Sequence, residues 1–384
     1  MARLGDVCDI LNGFAFKSEQ YVEEGIRIIR IANVQKGFIE DSAPVFYPFG
    51  SKDTKKYSLE EGDMLMSLTG NVGRVAKLSK EFLPAALNQR VACLRIKDGV
   101  ALDKAFLFNL LNSDYFEQQC IAASKGVAQK NISTEWLKEY EIPMFSMKQQ
   151  KVIASVLDKV TELIAMRKEQ LAKIDQLVKS RFIELFGDNN YPSEPLDNNV
   201  VEMFIGPFGS SLKNEVFVDE ENGFCMVYEQ KHAIQKTMNV PTRYVPKSKY
   251  EELKRFTIWG GDIIVSCRGT IGEIFIVPDN APMGIMHPSI MKIRLNTEKY
   301  NQKFFVFALE QYMDEHNAEA KGSGVKMAVS ATVLGQSDFV VPPMEVQNQF
   351  AAFVEQTDKS KLAIQQSLDK LELLKKSLMQ EYFG

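Results

Sequence analysis

The sequence predicts an α+β fold: two similar globular α+β domains separated by two long helices that form an antiparallel coiled coil. Three observations predict it. The 384 residues contain a tandem repeat, each copy holds short β-like runs between glycine turns, and each copy closes on a long stretch free of Gly and Pro.

The repeat is read first because it fixes everything else. Residues 62–74, GDMLMSLTGNVGR, return as residues 261–273, GDIIVSCRGTIGE. Gly62, Asp63, Ser67, Gly70 and Gly73 match Gly261, Asp262, Ser266, Gly269 and Gly272 at an offset of 199, and Leu94-Arg95-Ile96 matches Ile293-Arg294-Leu295. The later part of each copy aligns at offset 197, from Ser133 and Ser330 to Phe186-Gly187 and Phe383-Gly384. The copies are therefore residues 1–187 and 188–384.

Within each copy the β-like runs come first. They are Ile26–Ile31, Met64–Leu68 and Val91–Ile96, then Ile263–Val265, Ile274–Val277 and Met291–Leu295. One helix is expected among them, at Asp103–Gln119 and at Lys303–His316. The long helices are expected at about 148–185 and 345–382. Their apolar positions step by four and three: Ile153, Leu157, Val160, Ile164, Leu171, Ile174, Val178, Leu185, and then Phe350, Val354, Thr357, Ile364, Leu368, Leu371, Leu378, Tyr382. Arg167, Arg181, Lys361 and Lys375 interrupt the two series. That 3.5-residue period is a coiled-coil seam. The expected domains are 1–145 and 188–343, with spacer helices at 146–187 and 344–384. The linker Asp188–Pro195 is too short for a parallel pair: eight residues reach at most about 28 Å, against about 50 Å or more of helix. An antiparallel pair, and a pseudo-two-fold dumbbell, follows as the expectation.

Composition excludes several classes. With 45% hydrophobic and 25% charged residues the chain is neither disordered nor fibrous. No charged leader precedes an apolar core, and no apolar run is long enough to span a bilayer, so a cytoplasmic protein is expected. Five scattered cysteines and three scattered histidines suggest buried thiols, with neither a disulfide framework nor a metal site. Phosphate-loop, methyltransferase and nuclease motifs are missing; Glu229-Gln230-Lys231 precedes Pro278-Asp279 and reads as a chance match. No catalytic residue is assigned.

Two similar domains at a fixed spacing suit duplex DNA, where a two-fold protein reads two half-sites. Charge argues the other way. The net charge is −4, and residues 1–145 hold 18 basic and 19 acidic side chains against 15 and 20 for residues 188–343. Non-specific DNA affinity rests on neutralised phosphates, so either the cations are focused on loops or partners supply them. The candidate DNA-contacting residues are Arg30, Asn33, Thr69, Asn71, Arg74, Gln89, Arg90, Lys125, Gln129 and Lys130 in the first copy. In the second they are Arg268, Thr270, His287, Lys321 and Lys326. Hydroxyl, amide and guanidinium groups on tight loops can bond base edges or phosphates; the competing reading is a glycine-tightened turn and a solvated loop.

These residues together resemble the specificity subunit of type I restriction-modification systems. The resemblance covers both copies. Its marks are Leu4-Gly5-Asp6-Val7 with Asn12-Gly13-Phe14-Ala15-Phe16-Lys17-Ser18, and Gly206-Pro207-Phe208-Gly209-Ser210-Ser211-Leu212-Lys213 at the equivalent place. To these are added the two Gly-Asp-x-x-x-Ser-x-x-Gly-x-x-Gly segments and the Pro342-Pro343 to Gln347 approach to the second helix, whose prolines the first copy lacks. The resemblance implies two target recognition domains, each reading half of an asymmetric double-stranded DNA site. It implies helices that act as ruler and dock for two modification subunits carrying S-adenosylmethionine, with restriction subunits joining them. Gln150 and Gln347, at the helix starts, are the candidate partner-binding residues. The chain itself would hold no cofactor and catalyse nothing. The alternative is a protein-binding scaffold with two heads on a coiled-coil ruler.

Overall fold

The computed structural model describes residues 1–124, 130–187, 191–323 and 330–384, with side chains left out at 316–323. The chain divides into two compact units: Met1–Leu171 with Ala363–Gly384, and Ala172–Leu362. Each long helix is shared between them.

In the first unit, a four-stranded antiparallel sheet runs Cys8–Asn12, Val91–Ile96, Met64–Ser67, Val75–Lys77. A smaller sheet pairs Ile26–Ile29 with Phe46–Tyr47 on one side and, in parallel, with Ala85–Leu87 on the other. The second unit repeats the plan. Its larger sheet runs Val200–Ile205, Ile290–Leu295, Ile263–Ser266, Ile274–Ile276. Cys225–Tyr228 there lies parallel to Gly284–Met286 and antiparallel to Tyr244–Val245, and Thr257–Ile258 closes the far side.

The Gly-Asp-x-x-x-Ser-x-x-Gly-x-x-Gly segment is the hairpin at the centre of each larger sheet. Gly62 and Gly261 turn left-handed, at φ +82° and +83°, and aim the next residue inward. That residue is a buried aspartate. Arg95 Nε and Nη2 donate to the two oxygens of Asp63 at 2.8 and 2.7 Å. Arg294 does the same to Asp262, at 2.7 Å for both. Each aspartate also accepts a backbone N–H three residues before it, from Glu60 and from Trp259, at 2.9 Å. The serine bonds the loop: Ser67 donates to the Asn71 carbonyl, and Ser266 accepts the Glu273 N–H at 2.9 Å. Gly70, Gly73, Gly269 and Gly272 all have positive φ and turn the hairpin tip.

One expected helix differs. The first copy has two, Lys104–Leu111 and Asp114–Ala123, where one was expected over Asp103–Gln119. Asn112 folds back onto the Phe108 carbonyl at 3.0 Å, and the Ser113 hydroxyl caps the next helix at the Phe116 N–H, 3.1 Å. Ser-Asp at a helix start is a strong restart signal. The second copy, without that pair, runs on as Gln302–Ser323.

The long helices are Met147–Phe186 and Met344–Phe383. Every seam position is withdrawn from solvent, including the interruptions Arg167, Arg181, Lys361 and Lys375. In the first unit Ile153, Ala154 and Leu157 share a core with Met379 and Phe383, and Lys168 meets Glu372 at 2.8 Å. In the second unit Val178 and Phe186 share a core with Phe350, and Asp175 meets Lys361 at 2.6 Å. Rising numbers on one helix meet falling numbers on the other, so the pairing is antiparallel within each unit. Seam cations survive by reaching neighbours: Arg167 donates to Gln170 at 2.7 Å and Arg181 pairs with Glu184 at 2.8 Å. Burial lowers the Lys375 pKa.

All five cysteines are buried and unpaired. Burial pushes the thiols of Cys8 and Cys120 up to about 12, and those of Cys225 and Cys267 up to about 11. Thiolate is the reactive form, so a thiol reagent at pH 8 is expected to label none of them in the native protein and all five after denaturation. Asp262→Ala is expected to cost Arg294 its bidentate partner, leaving it Glu202 at 3.2 Å, and to destabilise its unit by about 1–3 kcal/mol, read as an earlier urea midpoint.

Candidate nucleic-acid interface

The site grows from strand ends. In the first unit the parallel strands pair Ile29 with Leu87, so Arg30 and Asn88 leave the sheet side by side. The Leu68 N–H bonds the Arg90 carbonyl at 3.0 Å, which brings in the hairpin tip 69–74. The Gly70 N–H bonds the Lys130 carbonyl at 2.9 Å. Arg30, Thr69, Asn71, Arg74, Gln89, Arg90 and Lys130 thus gather at one end of the sheets.

The second unit has the same construction. Tyr228 pairs with Met286, so Glu229 and His287 emerge together. The Cys267 N–H bonds the Ser289 carbonyl at 2.8 Å, which sets Arg268 and Thr270 beside them. The opening glycines belong here too. A side chain at Gly13 would strike the Asn88 carbonyl, and one at Gly206 the His287 carbonyl. The opening motifs Asn12-Gly13-Phe14 and Gly206-Pro207-Phe208 therefore pack the opening of each copy against the strand ends that carry the site.

Within this frame the candidates separate. Asn71, Gln89, Arg90 and Lys130 are exposed, as are Arg268 and Thr270. Arg74 is half-buried and donates to Gln35. His287 is half-buried, with Nδ1 on the Ser289 hydroxyl at 2.8 Å, and burial lowers its pKa.

Two candidates are corrected. Asn33 is buried; its Oδ1 accepts the Arg30 N–H at 2.9 Å and its Nδ2 donates to the Glu40 carbonyl at 2.8 Å. Thr69 is buried and donates to Asn131 Oδ1 at 2.7 Å. Both hold loops in shape. Lys125, Gln129 and Lys326 lie outside the described residues, as does the side chain of Lys321.

Gln150 and Gln347 are corrected as well. Both are fully buried and offer a partner no surface. Gln150 accepts the Asp103 N–H at 2.7 Å and donates to the carbonyls of Phe145 and Ala101 at 2.8 and 3.1 Å. Gln347 accepts the Asn301 N–H at 2.8 Å and donates to those of Pro342 and Lys299 at 2.7 and 2.9 Å. Each is a bracket that fixes the start of a long helix to the domain before it.

Sequence reasoning missed Gln230, Lys231 and Arg243. All three stand beside Glu229: Lys231 and Arg243 bind its carboxylate, and Gln230 faces Gly269. The available signal was the offset of 199, which sets Glu229 opposite Arg30.

Residues 1–176 and 214–373 match the family model described as the type I restriction modification DNA specificity domain. The chain belongs to that family. It carries the domain in two segments. The MjaVIII specificity subunit of Methanocaldococcus jannaschii is 30% identical over 186 residues, 47% of this chain and 43% of that protein. The chain thus spans less than half the length of this relative. A protein of the same organism, provisionally named the MjaX specificity subunit, is 24% identical over 407 aligned positions, 98% of this chain and 90% of its own. The crystal structure of a type I specificity subunit from M. genitalium shares the fold at TM-score 0.56 and 17% identity, covering 100% of this chain and 95% of its own.

No helix among the described residues is long and apolar enough to cross a membrane. Among them, too, no group of three or more His, Cys, Asp or Glu is placed to hold a metal ion.

Gln347→Ala is expected to orphan one buried N–H and two buried carbonyls, costing about 2–3 kcal/mol. Thermal unfolding checks it, with Gln347→Glu as the variant that keeps the shape.

Proposed function

We propose that this chain is the DNA-recognition subunit of a type I restriction-modification complex. Its domains, 1–145 and 188–343, each read one half of a split, asymmetric target. The observation that carries the reading is the repeated site: in both copies, polar and cationic side chains collect where two parallel strands and one glycine hairpin end together. Family membership says which polymer such a site reads.

The helices serve as ruler and as dock for two modification subunits, and restriction subunits complete the assembly. Those modification subunits hold S-adenosylmethionine; this chain binds no cofactor and catalyses no step. The complex works in the cytoplasm. Domains without net positive charge fit this division, since partners can supply the phosphate-neutralising charge that the chain lacks.

The test is methylation mapping of random-sequence DNA by the chain with its modification subunits. The expected result is two defined half-sites around an unspecified spacer. A matched seven-residue deletion in both helices keeps the seam in phase and is expected to shift the preferred spacer while leaving the half-sites intact. Replacing residues 188–343 with another recognition domain is expected to change one half-site. Affinity for duplex DNA should fall steeply with salt; a flat salt response with no split target would favour the protein-binding scaffold.

A further inference from the structure

Glu229 follows the strand Cys225–Tyr228, at the point where the second domain gathers its site. Its residue is only 8% exposed, yet two cations bind its carboxyl group. Burial opposes the charge, and hydrogen bonds from Lys231 and Arg243 hold the carboxyl below the usual range. Lys231 Nζ lies 2.7 Å from Oε2, and Arg243 Nη2 donates to Oε1. The other face of the Arg243 guanidinium rests on the Phe217 ring, 3.8 Å from its centroid. Arg243 is therefore gripped on two sides while 34% of its side chain faces solvent. A guanidinium carries five N–H donors, so donors remain for a ligand.

The first domain builds a guanidinium into the same corner from the opposite side. Arg30 occupies the position of Glu229, and Asn33 that of His232. Both turns are fastened alike: the Arg30 N–H bonds Asn33 Oδ1 at 2.9 Å, and the Glu229 N–H bonds His232 Nδ1 at 3.0 Å. Arg30 Nη2 reaches the Ala43 carbonyl at 3.0 Å, on the segment that leads into Phe46–Tyr47. Arg243 sits on the corresponding segment, directly before Tyr244–Val245, and reaches back. The charge at position 30/229 is reversed between the copies, while the guanidinium stays at the junction of the same two strands.

We propose that Arg243, clamped between Glu229 and Phe217, reads a guanine in the second half-site. This rests on the DNA-recognition reading above. Guanine presents N7 and O6 as paired acceptors in the major groove, and a planar, fixed guanidinium matches them bidentately. Fixing it beforehand spares the ordering cost of a free arginine. Glu229 is a positioning residue. Arg268 and His287 emerge beside it, and Lys231 shares its carboxylate; these groups suit the flanking phosphates.

A phosphate contact would use the same cation, and specificity separates the two. The wild-type target is mapped first with the modification subunits bound. Complexes carrying Arg243→Ala, Arg243→Lys or Glu229→Gln are then assayed for methylation on that target and on its single-base variants. At one guanine of the second half-site, both arginine variants are expected to lose about 10- to 100-fold of the preference over other bases. Glu229→Gln should lose part of the same preference at the same base. The first half-site should stay as strict as before, which shows that each variant is folded and assembled. Arg243→Lys keeps a cation for Glu229, so it remains informative if Arg243→Ala misfolds. Uniform weakening on every sequence, with a shallower salt slope, marks a phosphate contact and overturns the proposal. An unaltered second half-site overturns it too. A wild-type complex with no split target sinks the recognition reading itself, a different result from either.

Discussion

A buried carboxylate held by both arms of an arginine organises each recognition domain. Asp63 with Arg95, and Asp262 with Arg294, tie the central hairpin of the larger sheet to the strand beside it. An isolated buried aspartate would cost several kcal/mol, so the arginine and the left-handed glycine that aims the aspartate are needed together. The hairpin tip is then set by serine and by two further left-handed glycines. Because that tip lies beside the ends of the parallel strands, the placement of the hairpin residues Asn71, Arg74, Arg268 and Thr270 depends on this pair. The repeated motif is thus the scaffold of the interface. Its repeated side chains point into the protein, so two domains could share it and still differ at the exposed residues around it.

Much of this was legible in the sequence because it depends on period and repetition. The four-three spacing of apolar residues set the helix seam, and the structure withdraws even the arginines and lysines that interrupt it. The split of the first copy's helix was legible in principle, since Asn112-Ser113-Asp114 is a stop followed by a cap. Hydrophobic pattern alone ran over it. The roles of Asn33, Thr69, Gln150 and Gln347 were not legible, because a polar side chain looks the same in a string whether it faces water or a stranded backbone group. Gln150 and Gln347 match across the repeat, which drew attention to them as docking residues. Their match has a different cause: each joins the start of a long helix to its own domain by three hydrogen bonds.

The lack of net positive charge on the domains was the main obstacle to a DNA reading, and the geometry removes much of its force. Net charge averages over a surface, whereas the proposed function asks a duplex to meet only one end of the sheets. At that end Arg30, Arg90 and Lys130 collect in one domain, and Lys231, Arg243 and Arg268 in the other. Several of the acids are turned inward, away from the exposed end. Asp63 and Asp262 are buried inside ion pairs, and Glu229 is buried beneath the two cations it binds. A carboxylate used in this way costs net charge and yields direction, because it fixes a guanidinium that would otherwise sample many rotamers. If Arg243 reads a base as proposed, such a domain gives up non-specific phosphate affinity and gains discrimination between bases. If partners also hold the duplex, as proposed above, that exchange favours selectivity.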